Sequence, residues 1–370
     1  MKKFASMSMQ LPPIGLGTGL GLYKKKNNYT ETLFKNYFKV CKKFNVKLID
    51  TSPAYGNGTS EKLIGKYFSK YRKDFFIATK ILPEMCSKKK VKISVEQSLK
   101  RLKTDYIDLL QIHWPNENIP FEITISEMLK LKKRGIINHI GLCNFSFDQI
   151  FKLTKMFKKG TISSVQVEYN LFERSAEKKL AKLCEKKNIS IISYGPLAQG
   201  KFANGKKQLQ LLKKISKKYN CSISQVILAW IKSKKNFFSI PNSSSYKNLV
   251  NNFEAIYLKL KQEDIKLIDT KCRTRVLNID TRKIRVKNSR SHKVYSSLKQ
   301  AIENKLNMTP SPLELSKEII KGNFLKPIRL KRINKNKKNI FYLSEGRLRY
   351  WSWIIAHGWK KPIPSLVWEN

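Results

Sequence analysis

Four polar residues sit at or just past the ends of apolar runs: Asp50, Tyr55, Lys80 and His113. Asp50 ends VKLID, Tyr55 follows in TSPAYG, Lys80 ends FFIATK and His113 ends IDLLQIH. Together these residue types can protonate a carbonyl oxygen while a hydride reaches its carbon. A phenol, with a pKa of about 10, is a weak acid near neutrality. A neighbouring ammonium stabilises the phenolate and lowers that pKa. Lys80 can supply the ammonium, Asp50 can hold its charge, and His113 can polarise or orient the carbonyl oxygen. Singly, each has a plainer reading: Asp50 as a helix cap, Tyr55 as a turn aromatic, Lys80 as one lysine among many, His113 as a satisfied histidine. Delivered to the same end of consecutive strands, the four favour the joint reading.

The elements that must position them alternate along the first 270 residues. Strand-like runs lie at 12–17, 46–51, 75–81, 106–114, 137–145, 163–170, 189–195 and 237–241. Helix-like segments lie near 29–44, 60–70, 92–103, 122–134, 147–158, 175–187, 208–233 and 245–256. In ISVEQSLKRLK, Val95, Leu99 and Leu102 share one face at helical spacing. Strict alternation implies a parallel sheet. Eight such units in about 250 residues predict an α/β fold of the (β/α)8 TIM-barrel type, with chemistry at the C-terminal ends of the strands. A doubly wound sheet is the alternative, and it needs a Gly-rich turn after its first strand. GLGTGLG (15–21) looks similar, but the KKKNN that follows is no helix start.

Composition narrows the class. Hydrophobic residues make up 41% of the 370, enough for a packed core. The net charge of +49 raises a nucleic-acid or acidic-membrane partner. Yet only 13 of the 75 basic residues are Arg, the type whose fork grips phosphate bidentately, and the excess runs through the whole chain. It reads as a drift toward Lys, with nucleic acid as the less favoured partner and salt-sensitive sticking to polyanions expected. None of the six cysteines forms C-x-x-C or metal-ligand spacing with a His, so no metal is expected, and they read as reduced, mostly buried thiols of a cytoplasmic protein. MKKFASMSMQLPP lacks the apolar core of a secretory signal, and no run is long enough to span a bilayer.

The local sequences carry a resemblance. LIDTSPAYGNGTSEKLIGK, FIATK, DYIDLLQIHWP, HIGLCNF, VQVEYNLFER, ISYGPLAQGKF and SIPNSSSYKNLVNN resemble the aldo-keto reductase family in order and spacing, over roughly residues 10–270. The resemblance implies Tyr55 as acid/base, Asp50 and Lys80 as its tuners, and His113 as the carbonyl-orienting residue. It implies a small-molecule carbonyl substrate and an NAD(P)H cofactor, NADPH first and NADH as the alternative. Asn144 and Gln166 match the positions that hold the nicotinamide carboxamide, and Tyr194 the aromatic that stacks on its ring. Leu197, Ser243 and Asn252 match positions along the pyrophosphate and adenosine. Cys143 and Gly195 stand where serine is usual. Asn242 and Asn248 stand where the family often places basic residues for the ribose 2′-phosphate, and Lys247 is near enough to substitute.

A composition break near residue 272 closes this region. Four Arg precede it and nine follow, and four of the six Trp lie in the last 20 residues. The expected division is a barrel over 1–272 and a small α+β domain over 279–370, joined through KCRTRVLN (271–278). SEGRLRYWSW places Gly346, Arg347 and Arg349 at a helix start, an anion site in principle. KGNFLKPIRL and SEGRLR resemble the ParB/sulfiredoxin-like domain, whose members bind nucleotides, act as nucleases or kinases, or bind DNA partners. The resemblance implies the fold more than one function, with phosphate binding at Gly346, Arg347 and Arg349 and a nucleotide as the ligand to consider. The plainer reading leaves the two arginines on a solvated face while Trp351, Trp353 and Ile354 pack the core. A second class of function follows: a cofactor-sensing regulatory protein whose C-terminal domain binds a nucleotide or nucleic acid. A third makes that domain a structural cap or oligomerisation surface.

Overall fold

The computed structural model describes residues 1–5, 10–20, 28–116, 118–200, 202, 205–273, 276–286, 295–308, 310–322, 326–335 and 338–368. The chain divides into two compact units, one of Met1–Phe202 with Leu211–Thr270, the other of Ala203–Gln210 with Lys271–Asn370.

The first unit begins with a short antiparallel pair, β1 (Lys2–Lys3) and β2 (Gln10–Leu11). Eight parallel strands follow: β3 (Leu16–Gly17), β4 (Leu48–Asp50), β5 (Phe76–Ile81), β6 (Ile107–Ile112), β7 (Ile137–Cys143), β8 (Ile162–Glu168), β9 (Ser190–Tyr194) and β10 (Phe237–Ser239). They lie side by side in sequence order from β3 to β10. The ring closes through the backbone: Gly15 N donates to Ser239 O at 2.8 Å and Ser239 N to Pro13 O at 2.9 Å. Every residue of β5 and β6 is buried, as expected of strands covered on both faces.

The helices between them form for local reasons. In α1 (Glu31–Lys43), the Thr30 hydroxyl accepts the Leu33 N–H, Glu31 sits in the first turn, and Lys42 and Lys43 in the last. Its Leu33, Phe34, Tyr37, Val40 and Cys41 turn inward at three- and four-residue spacing. Then come α2 (Thr59–Phe68), α3 (Lys88–Leu102), α4 (Phe121–Lys133), α5 (Phe147–Met156) and α6 (Lys179–Lys187). The single helix expected over 208–233 is two, α7 (Lys206–Lys218) and α8 (Ile223–Ser233). Asn220 takes a left-handed φ of 47°, and Ser222 with Gln225 forms a capping box that starts α8 afresh. After α9 (Tyr246–Glu254), the unit gains α10 (Gln262–Lys271), which periodicity did not signal.

The short N-terminal pair has a packing role the sequence did not announce. Phe4, fully buried, lies 5.2 Å from Phe76 and 5.0 Å from Phe238 between ring centroids. With Leu11 it joins Leu48, Ala78, Leu109 and Ile192 in one apolar cluster inside the barrel.

In the second unit, five strands form one sheet: β11 (Val276–Ile279), β12 (Ile284–Arg285), β13 (Ile328–Lys335), β14 (Lys338–Glu345) and β15 (Ile363–Trp368), in the order β11-β15-β13-β14-β12. Helices α11 (Leu298–Ile302), α12 (Pro312–Ile320) and α13 (Arg347–His357) accompany it, an α+β arrangement. Trp351, Tyr350 and Ile354 of α13 pack with Ile328, Leu330, Phe341 and Leu343 of the sheet. Trp353 packs against this core only partly buried.

No helix among the described residues is long and apolar enough to cross a membrane. The six cysteines are unbridged, and all but Cys221 are buried.

Candidate active site

The barrel brings together all four residues from which the sequence reading began. Asp50 is the last residue of β4, Lys80 the fifth of the six in β5, and His113 follows β6 directly. Tyr55 lies in the turn between β4 and α2, its amide donating to Ser52 O at 3.0 Å. Lys80 Nζ donates to both Asp50 carboxylate oxygens, at 2.9 and 2.7 Å, and to Thr51 O at 2.8 Å. It also donates to the Tyr55 hydroxyl oxygen at 3.4 Å. An ammonium has no lone pair, so the phenol oxygen accepts here and its own hydrogen is left for another acceptor.

Asp50 is satisfied by amides as well as by the ammonium. Gln166 Nε2 donates to Asp50 Oδ1 at 2.7 Å and Gln111 Nε2 at 3.2 Å. Gln111 was absent from the sequence-derived set, although a signal existed. It lies two residues before His113 in an apolar strand, and period two puts both on one face.

Burial and charge set the protonation states. Burial works against the Lys80 ammonium, but Asp50 outweighs it and the net shift is upward, so Lys80 stays charged. Burial pushes the Tyr55 phenol up, the Lys80 charge pulls it down, and burial wins. The sequence expectation was a net lowering by Lys80. The barrel interior instead keeps the phenol protonated, which is the form a proton donor needs. Burial, then the Lys80 charge, holds the His113 imidazole down to about 2, so the ring is neutral. Trp114 stacks on it with centroids 3.6 Å apart and planes 14° apart, while the Tyr55 ring meets it edge-on at 6.0 Å.

A second cluster borders the first. Asn144, at a left-handed φ of 63°, donates through Nδ2 to His113 O at 3.1 Å and to Cys143 Sγ at 3.2 Å. Its Oδ1 accepts from the Tyr194 hydroxyl at 2.9 Å. Cys143 Sγ donates to Gln166 Oε1 at 3.5 Å. Burial pushes this thiol up to about 12, so it stays a thiol. Two amides and a phenol thus converge beside the Asp50–Lys80 pair. Gly195, at φ 59°, turns the chain just past Tyr194. Leu197 follows in the same loop, partly buried. Ser243 accepts from Ser245 N at 3.1 Å ahead of α9, which carries exposed Lys247 and buried Asn252.

Two features of the Gly-rich stretch and the 242 position differ from a phosphate site. A Cβ on Gly15 would fall 2.7 Å from Leu48 O, and one on Gly17 2.7 Å from Ile240 O. These glycines let β3 press against its neighbours in the ring. Asn242 accepts from the Tyr37 hydroxyl at 2.6 Å and donates to Gly19 O at 3.2 Å. It braces α1 and the Gly-rich turn against the end of β10.

Gly346 caps α13 at φ 94°, directly after β14, with Arg347 and Arg349 in the first turn, as the sequence suggested. Arg349 Nη1 donates to Lys326 O at 2.7 Å and Pro327 O at 2.8 Å, which holds the start of β13. No cluster of His, Cys, Asp or Glu able to hold a metal occurs among the described residues.

Known proteins share this fold over the first unit. Residues 13–273 match the Aldo/keto reductase family. The Methylglyoxal reductase DkgB of Escherichia coli is 31% identical over 262 residues, covering 70% of this chain and 92% of that protein. The Glyoxal reductase of Bacillus subtilis is 30% identical over 251 residues, covering 68% and 87%. Among solved structures, a thermostable aldo-keto reductase bound to the inhibitor epalrestat superimposes with a TM-score of 0.65 at 33% identity, over 73% of this chain and 98% of that one. An aldo/keto reductase from Klebsiella pneumoniae in complex with NADP and acetate gives 0.63 at 26%, over 70% and 90%. The fold is a parallel barrel with Tyr55, Lys80, Asp50 and His113 at its C-terminal mouth, and its relatives are oxidoreductases that act on carbonyls. The chain belongs to the Aldo/keto reductase family.

Proposed function

We propose that the barrel reduces a small aldehyde or ketone to an alcohol, with Tyr55 giving the proton to the carbonyl oxygen. The observation that carries this reading is the chain from Asp50 through Lys80 to Tyr55, at 2.7 and 3.4 Å. Tyr55 enters the reaction protonated. As its proton leaves, the Lys80 ammonium already faces the phenol oxygen and stabilises the charge that develops there. Neutral His113 orients the carbonyl oxygen, and the Trp114 stack fixes its ring plane. NADPH, when bound, supplies the hydride to the carbonyl carbon. Asn144 and Gln166 would hold its carboxamide and Tyr194 its ring, with Leu197, Ser243, Lys247 and Asn252 along the rest of the dinucleotide. Support comes from the convergence of Asn144 and Tyr194 at 2.9 Å and from solved relatives that carry NADP or NADPH.

The substrate class follows those curated relatives that are named as methylglyoxal and glyoxal reductases. A short 2-oxoaldehyde is therefore the first candidate. The test is NADPH consumption by the purified full-length protein with methylglyoxal, glyoxal and a panel of longer aldehydes and sugars. Turnover with at least one of them supports the reading, and none with any contradicts it.

For the second unit we propose the ParB/sulfiredoxin-like fold and a domain boundary close to residue 271. The passage from strand β14 through Gly346 into α13 supports the first, and the division at Thr270–Lys271 the second. Because Arg349 binds backbone carbonyls, no nucleotide is attached to this proposal.

A further inference from the structure

Ser52 stands two residues past Asp50, fully buried, and no motif singled it out. Its Oγ lies 3.1 Å from His113 Nδ1 and accepts the Ala54 amide at 3.1 Å. Those are the hydroxyl's two hydrogen bonds among the described residues. A serine hydroxyl carries one hydrogen, and the Ala54 bond uses only a lone pair. If His113 carried its proton on Nδ1, the Ser52 hydrogen would be buried without an acceptor, which is costly. If Nδ1 is unprotonated, the Ser52 O–H donates to it, and both the hydroxyl and Nδ1 are satisfied. The ring's proton then lies on Nε2, which makes no hydrogen bond to the described residues.

We propose that Ser52 is a positioning residue that fixes the His113 tautomer, so that Nε2–H is the edge offered to the carbonyl oxygen. The proposal rests on the reading of His113 as the carbonyl-orienting residue and adds what sets its proton. A neutral imidazole has two tautomers, and only a protonated nitrogen can donate to a carbonyl. His113 is kept neutral by its buried surroundings, so the choice of tautomer decides whether it can act at all. The stacked Trp114 holds the plane of the ring but does not distinguish its two nitrogens. Ser52, on the loop that also carries Tyr55, does.

The test is a long-range proton–nitrogen NMR correlation on the full chain with isotope-labelled histidine, His113 being assigned by its absence in His113→Asn. The proposal expects an acceptor-type Nδ1 and a protonated Nε2 in the unsubstituted protein. Ser52→Ala should shift His113 toward a mixture of tautomers and lower kcat about tenfold with a smaller change in KM. Ser52→Thr, which keeps the hydroxyl, should restore the tautomer. A protonated Nδ1 in the unsubstituted protein overturns the proposal, whether or not any variant folds. An unchanged His113 spectrum in folded Ser52→Ala does the same. The spectrum is read without substrate, so it separates this proposal from the reductase reading, which stands or falls on turnover.

Discussion

Gly19 approaches the Tyr55 ring so closely that a Cβ at residue 19 would lie 2.8 Å from the phenol Cζ and 3.1 Å from its oxygen. Gly19 thus shapes the seat of Tyr55, the proposed proton donor. Gly19→Ala should displace the phenol from Lys80 and the carbonyl. Misplacement on the scale of an ångström costs about a hundredfold in rate. The expected result is a fall in kcat/KM of roughly tenfold or more, with a thermal midpoint nearly unchanged. Equal losses of activity and stability would point to a packing role alone.

Asp50 and Lys80 form a buried ion pair, their side chains 2% and 0% exposed. Removing one partner strands the other charge, at a cost of about 3–5 kcal/mol. Asp50→Asn should therefore lower both the urea midpoint and turnover. The double variant Asp50→Asn, Lys80→Met should recover much of the stability and none of the turnover. Stability in the double variant no better than in the single would contradict the stranded-charge account.

Stability should fall in acid before the carboxylates titrate. The folded protein holds His113 down to about 2 and His139 to about 4, both chiefly by burial. Unfolded histidines titrate near ~6.5, so below that pH the unfolded chain binds more protons and the fold loses stability. Above about pH 6.5 both states are neutral and the term vanishes. The slope for His113 approaches ~1.4 kcal/mol per pH unit. Denaturant midpoints between about pH 7.5 and pH 5 check this, and His113→Asn should flatten the curve. A midpoint independent of pH across that window would contradict burial as the cause.

Asn242 is an uncharged amide and so offers no cation to a 2′-phosphate, and its Oδ1 and Nδ2 are engaged by Tyr37 and Gly19. Lys247, five residues further on in α9, is exposed. Lys247→Ala should raise the KM for NADPH about two- to fivefold, the scale of an exposed ion pair, and leave that for NADH unchanged. Equal effects on both cofactors would remove Lys247 from phosphate recognition.

Much of this was legible in the sequence because the barrel strands are continuous apolar runs, each closed by a turn and followed by an amphipathic helix. Asp50, Lys80 and His113 could be placed at one mouth because each ends or immediately follows such a run. Gly19 and Ser52 were not legible. Their effect lies in contacts with Tyr55 and His113 that exist only once strands distant in sequence are neighbours. The break at Asn220 was hidden because apolar spacing continues on both sides of it, while the left-handed residue and the Ser222 cap are local signals only. The net rise of the Tyr55 pKa was missed because charge can be read from residue types, whereas depth of burial cannot.

The central claim is that Tyr55 donates the proton. The most direct measurement is steady-state NADPH oxidation with the best carbonyl substrate by Tyr55→Phe, alongside its thermal midpoint. Loss of a general acid predicts a fall in kcat of about a hundredfold to ten-thousandfold, with the fold intact. Turnover within about twofold of the unsubstituted protein, a factor too small for loss of a general acid, would contradict the account.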